Sequence, residues 1–302
     1  MGMVNQSFAG RNRLELGNDH DHLKPVEIYR RPNVCLLEHG DIMLFDRDGV
    51  IEAGDTQQNS ESKWTYRGGI STLGKRLAAA AGATVRREVL VASLAGGGSR
   101  AWELIGSESE ILGEFDAVLL TPPAPQVADL LRAGDVDVVA REATASLLDE
   151  SEYHIQFSLV FGFGGVVERP HGCFALLNKD RQHDIAWLSF EGAKAGRVPG
   201  GGSVVVAQMS PEWSAEHFEA SSDILEREAL TAIERLLGQR PLRPDWSDRQ
   251  RWRYAHPKVA LDIEELEELA PEGLFFAGDA YVGKGRVGRS IETGLRAAER
   301  IK

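Results

Sequence analysis

Disulfides, membrane spans and a basic surface are all missing from this sequence. Cysteine occurs twice in 302 residues, at Cys35 and Cys173, far apart and outside any CxxC pair. A disulfide framework and a cysteine zinc centre are therefore not expected, and a reducing, cytoplasmic setting is. No run approaches the ~18 apolar residues of a membrane span. The opening residues MGMVNQSFAGRNRLELG hold no apolar signal-peptide core, so no membrane partner is expected. Positive charge is scarce: 34 Lys+Arg stand against 46 Asp+Glu, a formal net charge of −12. Nucleic acid needs a basic face for its phosphates and is not an expected partner. A nucleotide cofactor stays open, because backbone N–H groups at a helix start can hold its phosphates. Asp19-His20-Asp21-His22 puts two His on one face of an extended segment, but no further ligands lie nearby; a solvated loop is expected, and no metal.

What is present is ordinary globular composition, 42% hydrophobic and 26% charged, long enough for one large or two smaller domains. The most informative stretch is the last, Gly273 to Lys302, GLFFAGDAYVGKGRVGRSIETGLRAAERIK. Leu274 to Ala277 is too short for a helix and reads as a buried strand. Gly278-Asp279 follows. A Gly/Lys-rich loop then leads into a helical pattern from about Val287, with Ile291, Leu295, Ala298 and Ile301 on one face. A carboxylate at the carboxyl end of a strand, beside glycines and a helix start, suits a polar ligand. An ordinary strand–loop–helix with a capping Asp has the same pattern.

Upstream, Val34–Leu37 and Ile42–Phe45 read as short antiparallel strands with turns at His39-Gly40-Asp41 and Asp46–Gly49, and 53–63 as a polar loop. Thr72–Ala81 reads as a helix capped by Ser71 or Thr72. Strands are expected over Thr84–Leu94, Trp102–Ile105 and Glu114–Leu120, the last stopped by Pro122-Pro123. Val127–Leu131 starts a helix. Ile155–Phe163, Gly172–Leu177, Ile185–Phe190 and Ser203–Met209 are rich in β-branched and aromatic residues and make a second, antiparallel sheet. His183-Asp184 reads as a surface turn, since no nucleophile is placed beside it. Ser222–Leu237 is an amphipathic helix with Gly238 as C-cap. In Arg249–Pro257, alternation puts Trp252 and Tyr254 on one strand face and Arg251 and Arg253 on the other. Such an aromatic pair can wall a flat heteroaromatic substrate and an arginine can pair with its phosphates; an exposed edge strand with snorkelling arginines is the plainer alternative. Val259–Leu269 reads as a solvated acidic helix face.

The segment LFFAGD…RV…S…TGLRAAERI resembles the C-terminal signature of two-domain FAD-dependent oxidoreductases of the amine oxidase superfamily. The GGxSxL helix entry at Gly68, the FDAVLLTPPAPQ strand end and the WRYA.P segment occur in matching order and are most similar to its renalase-like branch. That resemblance implies FAD as cofactor, with Gly278 and Asp279 at its ribityl and pyrophosphate side and Val287 and Gly288 at the flavin ring. It also implies Val89 against the adenine through its backbone, and Thr121 and Pro122 bordering the dinucleotide. Trp252 and Tyr254 would shape the substrate cavity, with Arg251 or Arg253 at substrate phosphates. The implied reaction is hydride transfer from a small molecule, such as an isomeric reduced nicotinamide dinucleotide, to flavin and then O2. Amine oxidases and other FAD-dependent dehydrogenases share the signature, and a non-catalytic binding module is the third alternative.

The implied fold class is α/β (α+β): an incomplete Rossmann-like FAD-binding domain interleaved with a mainly antiparallel substrate domain. The expected substrate-domain parts are 1–63 and 132–269, and the FAD-domain parts 64–131 and 270–302. The chain departs from the pattern at its start, where the family has a strand, G-x-G-x-x-G and a helix. Gly96-Gly97-Gly98 and Gly200-Gly201-Gly202 are no substitute, since no helix follows either. A truncated chain, inactive alone, is therefore expected.

Overall fold

The computed structural model describes residues 34–36, 41–60, 64–66, 68–97, 100–283 and 287–301; the Asp/His cluster at 19–22 lies outside them. In chain order the elements are β1 (Val34–Leu36), β2 (Ile42–Phe45), β3 (Ile51–Glu52), α1 (Thr56–Ser60), β4 (Trp64–Tyr66), α2 (Ser71–Ala80), β5 (Val91–Gly97), β6 (Arg100–Gly106), β7 (Ile111–Phe115) and β8 (Val118–Leu120). Then come α3 (Ala124–Arg132), β9 (Asp135–Val136), α4 (Val138–Asp149), β10 (Tyr153–Phe163), β11 (Ala175–Asn178), β12 (Ile185–Phe190), β13 (Ser203–Met209), α5 (Pro211–Glu216) and α6 (Ser222–Leu237). The last are β14 (Trp246–Pro257), α7 (Ile263–Leu269), β15 (Leu274–Phe276) and α8 (Val287–Arg300).

Two compact units divide the chain, one of residues 1–84 and 155–252, the other of 85–154 and 253–302. These boundaries differ from those drawn on sequence, for a packing reason. Strand β4 pairs with β1, which puts 64–66 in the first unit. Helix α4 packs on α3, and α7 on α4 and β15, which draws 138–149 and 263–269 into the second.

The first unit carries a seven-stranded sheet in the order β14-β10-β13-β12-β11-β2-β3. Its pairings are antiparallel through β10-β13, β13-β12 and β12-β11, while β2 lies parallel to β11. Alternate residues Phe157, Leu159, Phe161 and Phe163 of β10 enter the core with Val205, Ala207 and Met209 of β13. Helix α6 adds Leu225, Ala229, Ile233 and Leu236, the i, i+4, i+8, i+11 stripe that its amphipathic pattern dictates. Each such large side chain contributes roughly 1.5–3 kcal/mol by leaving water. The helix ends at Gly238, whose φ of 65° is the left-handed cap expected there.

This unit also buries charge. The Lys194 ammonium lies 2.6 Å from Glu191 Oε1, and Arg197 approaches Glu191 Oε2 at 3.2 Å. Arg197 also donates to the Tyr66 carbonyl at 2.9 Å, tying β4 to this cluster. Burial pulls the Lys194 ammonium down to about 8, with the Glu191 carboxylate opposing the shift.

The second unit holds a four-stranded sheet, β7-β6-β5-β9, and the parallel pair β15-β8. Trp102, Leu94, Leu131, Leu148, Leu266 and Phe276 form its core. The Trp102 indole N–H donates to the Glu272 carbonyl at 3.1 Å, fixing the turn that feeds β15.

Several local expectations are corrected. The strand anticipated over Thr84–Leu94 is Val91–Gly97; 84–90 are exposed, and Glu88 sits at φ 60°, which breaks an extended run before it can pair. Helix α2 is entered from Ile70 with no side-chain cap, through a turn at Gly69 (φ 94°) rather than from Ser71 or Thr72. Glu114–Leu120 is two strands, β7 ending a meander and β8 pairing with β15. The polar loop 53–63 contains the short helix α1. Strands β1 and β2 belong to different sheets instead of pairing together.

Candidate functional site

The parallel pair of the second unit aligns its strands in register, Val118 with Leu274, Leu119 with Phe275 and Leu120 with Phe276. Both carboxyl ends therefore open on the same side. Thr121-Pro122 leaves one end and Ala277-Gly278-Asp279 the other, and Ala277 N–H still donates to the Leu120 carbonyl at 3.1 Å. In open α/β sheets this edge is where ligands bind, because helix starts and loop N–H groups face it. The structure thus brings Thr121, Pro122, Gly278 and Asp279 to one edge.

Gly278 has φ 145° and ψ −171°, a region that essentially only glycine occupies. A Cβ there would come within 3.7 Å of the Thr121 carbonyl, so the two loops run close. Gly278 N–H donates to Thr293 Oγ1 at 2.9 Å, and that hydroxyl donates to the Ser290 carbonyl at 2.7 Å. Thr293, buried on α8, so pins the first turns of the helix to the Gly278 turn. Val287 and Gly288 open α8 and are half-buried, with open space where a Gly288 side chain would be.

Asp279 is half-buried. Burial raises its carboxyl above the ordinary carboxylate range, and the neighbouring His256 works against that rise. His256, near the end of β14, is lowered by burial, with Asp279 opposing and His154 adding to the fall. Tyr254, two residues earlier on the same strand face, meets the Tyr153 ring edge-on at 5.3 Å between centroids. The Tyr153 hydroxyl accepts from the Ala124 N–H at 3.3 Å, at the start of α3. Tyr281 is buried, its phenol raised by burial with Tyr153 and Asp279 adding to the rise. Its hydroxyl has no hydrogen-bond partner among the described residues. These residues form one polar cluster at the carboxyl end of β15.

Other anticipated residues sit elsewhere. Val89 is 39% exposed and precedes β5, so it is not part of a strand. Along β14 the alternation leaves Trp252 and Tyr254 half-buried and Arg251 and Arg253 exposed, as alternation requires. Trp252 belongs to the first unit, and its buried indole N–H has no partner among the described residues. Arg251 is engaged: its guanidinium lies over the Phe157 and Phe218 rings at 5.5 and 4.9 Å. His183 accepts from the Ile185 N–H at 3.0 Å, closing the expected turn, and borders a hollow of about 220 Å³ with Arg47, Asp48, Gln182 and Arg235.

Sequence reasoning gave no role to His256, which it noted only within Arg249–Pro257, nor to Tyr153, Tyr281 or Thr293. A signal existed for the region. The spacing G-x-G-x-x-G stands at Gly283-Lys284-Gly285-Arg286-Val287-Gly288, leading into α8. It differs from the dinucleotide fingerprint in that 277–282 separate it from the strand. Residues 284–286 lie outside the described ones.

A parallel strand pair with Gly-Asp at its carboxyl edge, alternating in sequence with a mainly antiparallel sheet, defines a two-part α/β architecture. The family model for flavin containing amine oxidoreductases matches residues 5–302, and the chain belongs to that family. Solved structures share the fold. A protein assigned as a protoporphyrinogen oxidase from Exiguobacterium sp. 255-15 aligns with a TM-score of 0.63 at 20% identity, over 79% of this chain and 52% of its own. A putrescine oxidase bound to putrescine aligns at 0.60 and 16%, over 82% and 55%. Cyclohexylamine oxidase from Brevibacterium oxydans IH-35A gives 0.58 and 14%, over the same shares. The chain thus spans about half the length of the structures it matches.

Proposed function

We propose that this chain carries the polyol-binding edge of an FAD-dependent oxidoreductase acting on a small reduced molecule. One observation carries the proposal: the parallel β8-β15 pair brings Thr121 and the Gly278-Asp279 turn together at one carboxyl edge. The residues there suit the cofactor. Gly278 allows close backbone approach, and Asp279 is a half-buried acceptor that meets backbone N–H groups of its own turn and no side-chain donor among the described residues. A carboxylate in that state accepts hydrogen bonds from vicinal hydroxyls. Val287 and Gly288 leave room at the first turn of α8, and a helix start favours electron-rich ligand oxygens through its dipole.

Bound flavin would supply the redox chemistry, accepting a hydride equivalent from the substrate and passing two electrons to O2 to give hydrogen peroxide. The protein's own share is to hold and orient the cofactor and to select the substrate. Hydride release from a dihydropyridine requires no protein acid or base. The similarity of RWRYAHP and TPPAPQ to the renalase-like branch favours an isomeric dihydronicotinamide dinucleotide as substrate, with Trp252 and Tyr254 as its aromatic contacts. Family membership favours a second reading, amine oxidation.

Two measurements test this. Flavin fluorescence titration of the purified chain should show uptake of FAD, weakened about tenfold or more in Asp279→Ala, the loss of a charge-assisted hydrogen bond. Peroxide release from a panel of reduced nicotinamide isomers and primary amines, read from the chain and from a form extended upstream, separates the two substrate classes and tests whether the chain alone is inactive. A chain that takes up no FAD contradicts the proposal at its base.

A further inference from the structure

The seven-stranded sheet of the first unit has two unlike faces. One is the apolar face packed with α6, where Phe157, Leu159 and Phe161 of β10 lie. Alternation turns Gln156 and Ser158 to the other face, yet both are buried, at 6% exposure each. The Gln156 amide N–H donates to the Met209 carbonyl at 3.1 Å, but its Oε1 and the Ser158 hydroxyl have no hydrogen-bond partner among the described residues. On the edge strand β14, Arg251 lies over the Phe157 ring, so Trp252 beside it turns to the Gln156 face. Its buried indole N–H is unpartnered as well. Trp246, six residues earlier on β14, lies where a Gly162 Cβ would stand, which puts it on the same face. Across the sheet, Gln208 of β13 stands opposite Ser158 and Trp187 of β12 opposite Gln208, both half-buried. A buried polar atom without a partner is costly, and here a donor, an acceptor and a hydroxyl are gathered on one face.

We propose that this face binds an uncharged, flat heteroaromatic group carrying a carboxamide, with Gln156, Ser158 and Trp252 as its hydrogen-bond partners. The proposal deepens the flavin reading above and rests on it for the reaction itself. A carboxamide offers N–H donors to Gln156 Oε1 and the Ser158 hydroxyl, and a carbonyl to the Trp252 N–H. Trp252 and Trp187 stand on strands three spacings apart, about 14 Å, which leaves room for one ring and its substituent flat on the sheet between them. None of the side chains named on this face is charged. A carboxylate set down among them would lose its water and gain no counter-ion, so the face selects the amide over the acid of the same ring.

The test is the nicotinamide dissociation constant, from ligand-observed NMR titration of the chain with and without FAD, for the wild type, Ser158→Ala and Trp252→Phe. Nicotinate is the charged counterpart. The wild type should bind nicotinamide about tenfold or more tightly than nicotinate. Each variant should weaken nicotinamide about three- to tenfold, the worth of one neutral hydrogen bond. Ser158→Ala, melted without ligand, should be as stable as the wild type or more so, because the free protein loses no bond. A lowered melting temperature for Ser158→Ala with nicotinamide bound as before would make the hydroxyl structural and overturn the inference. Equal affinity for nicotinamide and nicotinate, or FAD uptake without nicotinamide uptake, would overturn it too and leave the flavin reading standing. Nicotinamide uptake without FAD uptake would support the face and overturn the flavin reading, and uptake of neither would overturn both.

Discussion

Lys194 makes the stability of the first unit rise with pH where most proteins lose it. Its side chain is 2% exposed, and burial holds its ammonium at about 8 against an ordinary 10.5. A depressed folded-state value means that the unfolded chain binds more protons between those two pH values. Stability therefore climbs through that window and is lost again as pH falls through about 8. The gap corresponds to about 3 kcal/mol at full extent, at 1.36 kcal/mol per unit. Lys194→Met removes the titrating group and leaves Glu191 paired with Arg197, 3.2 Å away. Urea unfolding followed by tryptophan fluorescence at pH 7.5, 9 and 10.5 reads the effect. The difference between wild type and variant should move in the wild type's favour by about 2–3 kcal/mol across the series. Tyr281 does not confuse it: a raised phenol gives stability that persists below the ordinary value of 10.0 and is lost above it, equally in both proteins. A pH-independent difference would mean that Lys194 is not desolvated, and the account of the buried cluster would fail.

Three further outcomes are expected. Gly278→Ala should cost about 1–3 kcal/mol in stability, because the new side chain must adopt φ 145°, and should weaken FAD binding in the same titration. Gly134→Ala should be among the most destabilising single changes in the second unit, by several kcal/mol, since its Cβ would run into the Leu94 carbonyl; thermal unfolding reads this. Arg251→Ala should lower stability by about 0.5–1 kcal/mol through loss of the contacts over Phe157 and Phe218 and leave FAD affinity unchanged; a large drop in FAD affinity would reassign it to the cofactor.

Where local pattern and tertiary packing agreed, the sequence was legible. Ser222–Leu237, Ile185–Phe190 and Ser203–Met209 form as read, because an apolar stripe or a β-branched run leaves one way to bury itself. Partners were harder. Nothing in IMLF says that β2 runs parallel to β11 while β1 joins β4, since those choices are made by residues far away in sequence. The site divides similarly. Gly278 and Asp279 announce themselves by position after an apolar strand. His256 and Tyr281 do not, because a half-buried imidazole on β14 and a phenol in a turn acquire meaning only when Leu261 fastens their segments together. Val89 illustrates the opposite failure: its neighbours look like a strand, but the left-handed Glu88 before it keeps the segment out of the sheet.

A crystal structure of the chain soaked or grown with FAD measures the central claim directly. The account predicts a ribityl hydroxyl within about 3 Å of the Asp279 carboxylate, with the Gly278 turn against the polyol chain. Flavin bound elsewhere, or an Asp279 carboxylate turned away from a bound flavin, would contradict it.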